Sequence, residues 1–212
     1  MSMIYWVRGL STAQIGALRA APALAGDLVI VTLNEGFAVR FAEAARRMPE
    51  DQRRQFEAAT KSARSAPGVR EAGERLAHLG PLEQPLSLEK SWHMLHYLVT
   101  GQLGPAGGPG DLLLTGEELG EDVGYGRPRL HRATATREFS QFLTTLDAAR
   151  LQARVDIGEM RRLQVYAIPE GPGSDAELEN VLRDNVGAYF PRLRDYVATM
   201  SDKGNGLLTW IS

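Results

Sequence analysis

The chain has 212 residues, of which 43% are hydrophobic and 24% charged, and its formal net charge is -2. This length fits one domain, or one domain with an insertion, and allows a substantial core. The small net charge gives no electrostatic reason to bind nucleic acid or an anionic membrane surface. No apolar run approaches the ~20 residues of a membrane-spanning helix. We therefore expect neither a nucleic-acid nor a membrane partner.

The absence of cysteine removes several kinds of chemistry at once. Disulfides, thiolate nucleophiles and cysteine-ligated zinc or iron-sulfur centres are all excluded, so any metal would depend on histidine and carboxylate ligands. The N-terminus lacks the basic region that precedes the apolar run of a secretory signal. We predict a cytoplasmic protein, and a composition rich in arginine, alanine and glycine is typical of GC-rich bacterial coding sequences.

The N-terminal segment predicts a strand that leads directly into a helix. Met3–Arg8 is rich in β-forming residues, and Ser11 with Gln14 forms a capping box. The helix is expected to run to about Ala21, before a proline. Residues 28–33 form a continuous apolar run, which fits either a buried strand or a helix.

Residues 35–79 have a different composition, with apolar residues at helical intervals among Ala, Arg, Glu and Gln. Pro49 and the pair Pro67-Gly68 divide the segment into three predicted helices. Each is too polar to be stable alone, so the helices must pack on the rest of the chain. We interpret residues 35–80 as a helical insertion with a mainly solvated charged face.

The stretch Leu88–Gly101 carries the clearest helix pattern in the chain, with Ser87 as its predicted cap and Gly101 as its last, left-handed residue. At helical spacing one face is apolar and predicted to be buried. A polar stripe runs beside it. The apolar face consists of Leu88, Trp92, Leu95 and Val99, and the polar stripe of Glu89, His93, His96 and Thr100.

The next segment is dominated by glycine. Residues 102–111 are expected to form a mobile loop. In residues 112–129 four glycines lie so close together that the backbone is expected to fold tightly around something.

The C-terminal part alternates helices and strands. We predict a helix from Thr136 to about Arg154, a strand over 163–168, a helix starting at Asp175 and a strand over 207–211. Pro191 is expected to kink or split the long helix. Together these elements predict an α+β fold, with a small mixed or antiparallel sheet packed by helices.

Several motifs resemble those of the YfbM-like family of bacterial proteins of unknown function. The Trp92-x-x-Leu95-His96 motif, followed by Thr100-Gly101, is similar to that family's Trp-x-x-Leu-His and Leu-Thr-Gly. The segment 124–129, Gly-Tyr-Gly-x-x-Arg, also fits, as do residues 1–4. The resemblance covers most of the chain outside residues 23–85. It implies a single bacterial α+β domain over residues 1–212 and no established activity, cofactor or catalytic residue.

No constellation in the chain specifies a reaction. Glu89, His93 and His96 have metal-ligand spacing, but three ligands on one helix are strained, so we predict no metal site. No Gly-x-Ser-x-Gly elbow accompanies His96, and the glycine segment lacks the Lys of a phosphate loop. We therefore expect no cofactor and leave the catalytic residues unassigned.

The function best supported by the sequence is binding without catalysis. We expect a small anionic ligand or a protein partner, with a pocket framed by His96, Tyr125 and Arg129 near Trp92. Arg129 is suited to bind an anion or to form a buried ion pair. We expect His96 to hydrogen-bond the loop around Tyr125 and Trp92 to be mainly a core residue. One alternative is a hydrolase or transferase with His96 as acid-base. The other is an immunity-type protein that neutralises a partner through the 35–80 segment.

Overall fold

The computed structural model describes residues 3–45, 48–50, 52–54, 58, 61, 66–168 and 174–212, and of residues 37–45 it describes the backbone alone. The strands in this part of the chain are β1 (Tyr5–Leu10), β2 (Leu86–Glu89), β3 (Glu117–Glu118), β4 (Arg129–His131) and β5 (Gly206–Ile211). The helices are α1 (Thr12–Ala20), α2 (Leu24–Ala45), α3 (Pro67–Leu76), α4 (Trp92–Thr100), α5 (Ala133–Thr144), α6 (Ala148–Ala153), α7 (Ile157–Arg162) and α8 (Asp175–Asp202). Single 3-10 turns lie at Ala77–Leu79 and Pro109–Leu113.

The five strands form one antiparallel sheet in the order β2-β1-β5-β4-β3. The α+β prediction is confirmed, and its sheet is antiparallel. Strands β1 and β5 lie in the interior of the sheet, paired over six residues from Tyr5 opposite Ile211 to Leu10 opposite Gly206. Both strands are almost fully buried, as expected for a sheet covered on both faces.

Each face of the sheet has its own hydrophobic core. Tyr5 and Val7 face the larger core, which is filled mainly by α4, α5 and α8. Trp6 and Leu10 face the smaller core, which is formed with α1, α2 and the end of α3. Because successive strand residues point to opposite faces, the alternation along β1 divides these two cores.

The N-terminal predictions are confirmed. Ser11 and Gln14 form the capping box, with Gln14 N–H donating to Ser11 Oγ at 3.3 Å and Ser11 N–H to Gln14 Oε1 at 2.9 Å. The ambiguous run 28–33 belongs to helix α2, whose buried face includes Leu28 and Val29. Of the three helices predicted between 35 and 79, α2 and α3 account for the ends, while the middle one lies largely outside the described residues.

The predicted helix at Leu88 begins later than expected. Leu88 and Glu89 belong to β2, so Ser91, not Ser87, precedes the first helical residue Trp92. Ser87 instead accepts a hydrogen bond from Glu89 N–H at 3.1 Å. Helical periodicity misplaced the start because alternating apolar residues in a short strand also match an i, i+4 spacing. The left-handed end at Gly101, with a φ of 73°, is confirmed.

Two C-terminal predictions are wrong. The helix predicted from Thr136 to about Arg154 is two helices, because Asp147 accepts Arg150 N–H at 2.9 Å and starts a new helix, α6. Residues 163–168 are turns, not a strand, and Gln164 and Ala167 have left-handed φ values of 58° and 61°. A strand cannot continue through such residues.

The long C-terminal helix starts as predicted at Asp175, after a capping box made by Ser174 and Glu177. It runs to Asp202 without being split at Pro191. Buried residues on both sides of the proline, including Phe190 and Leu193, hold the helix on the larger core. The packing therefore outweighs the one backbone hydrogen bond that proline removes.

We expect Gly206→Ala to destabilise the fold by about 1–3 kcal/mol, because a Cβ at Gly206 would lie 2.2 Å from the backbone oxygen of His131. Urea unfolding followed by circular dichroism measures this change. Gly16→Ala is the matched control, since a Cβ at that helical glycine meets nothing within 4 Å. Equal unfolding midpoints for the two variants would contradict the close approach of β5 to β4.

Candidate functional site

Helix α4 places both of its histidines against the glycine-rich loop that follows it. His96 is fully buried, and its Nε2 donates to the Gly104 carbonyl at 3.3 Å. Burial lowers the pKa of His96, so the ring is neutral near pH 7. The ring's other nitrogen, Nδ1, has no hydrogen-bond partner among the described residues.

His93 also holds the loop, and does so from both ring nitrogens. Its Nδ1 accepts the Tyr166 N–H at 2.8 Å, and its Nε2 donates to the Leu103 carbonyl at 3.1 Å. These two partners require the neutral ring with its proton on Nε2. His93 thus joins the 101–111 loop to the turn around Tyr166.

Trp92 lies at the centre of an aromatic stack. Its ring is 5.7 Å from Tyr5, 5.1 Å from His93 and 5.9 Å from Tyr166, measured between ring centroids. The indole is 7% exposed and belongs to the larger core. Trp92 therefore packs directly against the His93 ring that contacts the loop.

The far end of the same loop is fixed by Asp111. The Asp111 Oδ2 accepts three backbone N–H groups, from Ala106, Gly107 and Gly108, at 2.7, 2.6 and 2.9 Å. The carboxylate is 3% exposed. A segment that the sequence predicted to be mobile is thus held at both ends in the structure.

Neither Tyr125 nor Arg129 belongs to the contacts between α4 and the 101–111 loop. Tyr125 is 37% exposed in a turn in which Asp122 Oδ1 accepts the N–H groups of Gly124 and Gly126, at 2.7 and 3.1 Å. Arg129 Nη1 donates to the Leu114 carbonyl at 2.9 Å, and no ion pair of Arg129 is found among the described residues. The predicted link from His96 to the Tyr125 loop is replaced by a link to Gly104.

A polar pocket lies beside the 101–111 loop. It has a volume of about 240 Å³ and is called here the His131 pocket. Its walls are formed by Gly107, Gly108, Pro109, Leu112, Thr115, His131, Ala135 and Glu138. None of the four residues predicted to bind a ligand (Trp92, His96, Tyr125 and Arg129) lines it, and their role in binding stays a prediction.

His131 is the buried ionisable group of this pocket. It lies on β4, 5% exposed, with Nε2 3.3 Å from the Thr209 hydroxyl oxygen. Burial, followed by the positive charge of Arg129, lowers the pKa of His131 to about 4. A Cβ on Gly116 would lie 2.8 Å from the ring, so glycine at that position allows the backbone to cover the imidazole.

The polar side chains that line the pocket can accept hydrogen bonds. Neutral His131, the Thr115 hydroxyl and the Glu138 carboxylate can all accept. The N–H groups of Gly107 and Gly108 already donate to Asp111 and are not available as an anion cradle. In the described part of the chain no group of three or more histidines and carboxylates could hold a metal ion, and no helix is long and apolar enough to cross a bilayer.

Sequence reasoning missed His131, Glu138 and Asp111. A histidine in a three-residue strand carries no periodic signal, and Glu138 matches an ordinary solvated helix position. Asp111 did have a recognisable sequence signal. It directly follows glycines 107, 108 and 110, and aspartate commonly accepts backbone N–H groups in such turns.

We expect His96→Ala to lower the free energy of unfolding by about 2–3 kcal/mol, because it removes a buried ring and its bond to Gly104. Amide hydrogen exchange should also accelerate in residues 102–108. His78→Ala, at an exposed histidine, is the matched control and should change neither quantity. An unchanged unfolding midpoint for His96→Ala would refute the stabilising role of the bond between His96 and Gly104.

The unfolding free energy should fall as the pH drops from 6.5 to about 4. The folded-state pKa of His131 is lower than its unfolded value of 6.5, so the unfolded chain binds the proton more tightly. The stability from neutral His131 is complete above pH 6.5 and lost toward pH 4, by about 3 kcal/mol. Denaturant titrations over this range measure the slope, which His131→Gln should reduce and His78→Gln should leave intact.

Comparison with known proteins gives the family of the chain but no activity. No curated protein matches the sequence. The fold is similar to the crystal structure of YfbM from Escherichia coli, a protein of unknown function, with 19% identity, a TM-score of 0.57 and 99% of each chain covered. The model of a domain of unknown function, DUF1877, matches residues 1–210. The resemblance to YfbM-like proteins is therefore confirmed, and the chain belongs to the DUF1877 family.

Proposed function

We propose that this protein is a cytoplasmic, non-catalytic binding module that takes a small polar ligand in the His131 pocket. The observation that carries the proposal is that one pocket gathers a buried neutral imidazole, a hydroxyl and a carboxylate. Convergent polar groups of this kind, at the wall of a preformed pocket, are typical of small-molecule sites.

The sign of the ligand's charge follows from the same groups. Glu138 contributes a negative charge, and the N–H groups of Gly107 and Gly108, which line the pocket, already donate to Asp111. Arg129, the basis for expecting an anion, donates to the Leu114 carbonyl. We therefore propose a neutral or positively charged ligand that carries hydrogen-bond donors, such as an amine or a polyol.

The alternatives receive less support. An enzyme with His96 as acid-base needs that ring to reach a substrate, and His96 is fully buried against its own loop. An immunity-type partner would bind through residues 35–80, a segment in which the side chains of 37–47 and most of those of 51–65 lie outside the described part of the chain. Both stay as hypotheses.

A library of small amines and polyols, with carboxylates of equal size, should separate binders from non-binders by thermal shift, because a ligand of the native state raises the melting temperature. Amide shifts in an NMR titration should then locate the binder at residues 107–115 and 131–138. Ala135→Leu, which narrows the pocket, should abolish these shifts. Glu138→Gln should weaken binding of the amines.

Ala133→Leu is the matched control, on the same helix but outside the pocket wall. Shifts of residues 107–115 and 131–138 that survive in Ala135→Leu, or that are equal for amines and carboxylates, would refute the proposed site.

A further inference from the structure

A second concave surface lies on the opposite face of the sheet, between α2 and the 119–128 loop. This groove has a volume of about 350 Å³, within the range of small-molecule sites. Its floor and walls are aliphatic and include Gly26, Val29, Ile30, Leu33 and Val123. Ile30 is 41% exposed, so an apolar wall of the groove faces solvent. An occupant with an apolar body would bury this surface.

The polar groups of the groove are both carboxylates. Glu121 and Asp122 line one side. Glu121 is exposed and forms no ion pair or hydrogen bond among the described residues, whereas Asp122 is oriented by the N–H groups of Gly124 and Gly126. Arg127, on the same loop, does not line the groove. The apolar surface is therefore bordered by negative charge.

The loop that carries these carboxylates is held in place by its own hydrogen bonds. Leu119 N–H donates to the Pro128 carbonyl at 2.8 Å, and Val123 N–H to the Gly126 carbonyl at 3.1 Å. Gly120, with a φ of 68°, lies so close to α2 that a Cβ would be 2.7 Å from the Pro22 carbonyl oxygen. The groove is thus formed before any ligand arrives, which reduces the entropy lost on binding.

We propose that this groove binds an organic cation, with the apolar body on the aliphatic floor and the positive charge beside Glu121 and Asp122. The combination of an apolar floor and unneutralised carboxylates on one rim selects for such a molecule. An apolar anion of equal size would meet the same floor but be repelled by the rim. The groove shares no lining residue with the His131 pocket.

The test uses phenethylammonium as the probe and 3-phenylpropionate as an anion of nearly equal size. In NMR titrations of the full chain, phenethylammonium should shift the amides of residues 23–33 and 119–126, and 3-phenylpropionate should shift neither set. Glu121→Gln should weaken binding of the cation about two- to fivefold, as expected for one partly exposed charge.

Gly26→Leu tests the floor. A Cβ at Gly26 meets nothing within 4 Å, so a leucine there should fill the groove, leave the fold intact and abolish the shifts. Gly16→Leu is the matched control, at a helical glycine of α1 that is equally open and outside the groove.

Equal binding of both probes would overturn the assignment of a cation. So would the absence of shifts up to the solubility limit of the probes. If the protein bound no probe and Glu121→Gln lowered its melting temperature, the role of Glu121 would instead be to stabilise α2 through the helix dipole.

Discussion

The pairing of β1 with β5 is the interaction on which both cores and both concave surfaces depend. These strands are far apart in sequence, yet Trp6 lies opposite Trp210 and the two indoles stack with centroids 6.3 Å apart. Residues that alternate along this pair supply one side chain to the larger core and the next to the smaller. A slip of one residue would exchange the two sets, so the pattern of both strands strongly specifies the register.

The second organising contact is the attachment of the 101–111 loop to α4. His93 and His96, three residues apart on α4, each hydrogen-bond a carbonyl of the loop. At the other end of the loop, Asp111 accepts three backbone N–H groups. A glycine-rich loop loses much conformational entropy when it becomes ordered. Several hydrogen bonds, most of them partly buried, offset that loss, and the ordered loop then forms a wall of the His131 pocket.

Local rules accounted for much of the fold. The capping box at Ser11, the helix start at Asp175 and the left-handed Gly101 were predicted correctly because each depends on a few neighbouring residues. The errors arose where tertiary structure decides. Leu88 is apolar in a strand or in a helix, and only its place beside β1 distinguishes them. Residues 163–168 have strand-forming composition, but the backbone turns there to bring Tyr166 N–H to His93.

The candidate site was harder to predict than the fold. Trp92 is buried in the larger core, as expected, but the hydrogen-bond partner of His96 is Gly104, in a loop whose path no periodicity describes. His131 enters the pocket only because β4 pairs with β5 and Gly116 crosses above the ring. Such a juxtaposition depends on contacts between distant segments, and a single sequence does not encode them in any local pattern.

The place of β5 in the sheet has a consequence for how the protein is made. This strand follows every other described element in the chain, yet it pairs with both β1 and β4 in the interior of the sheet. Neither core can close before residues 206–211 have left the ribosome, and closing a loop of this length is slow relative to local helix formation. During synthesis β1 therefore presents an unpaired, apolar strand edge, which is the kind of surface that chaperones bind.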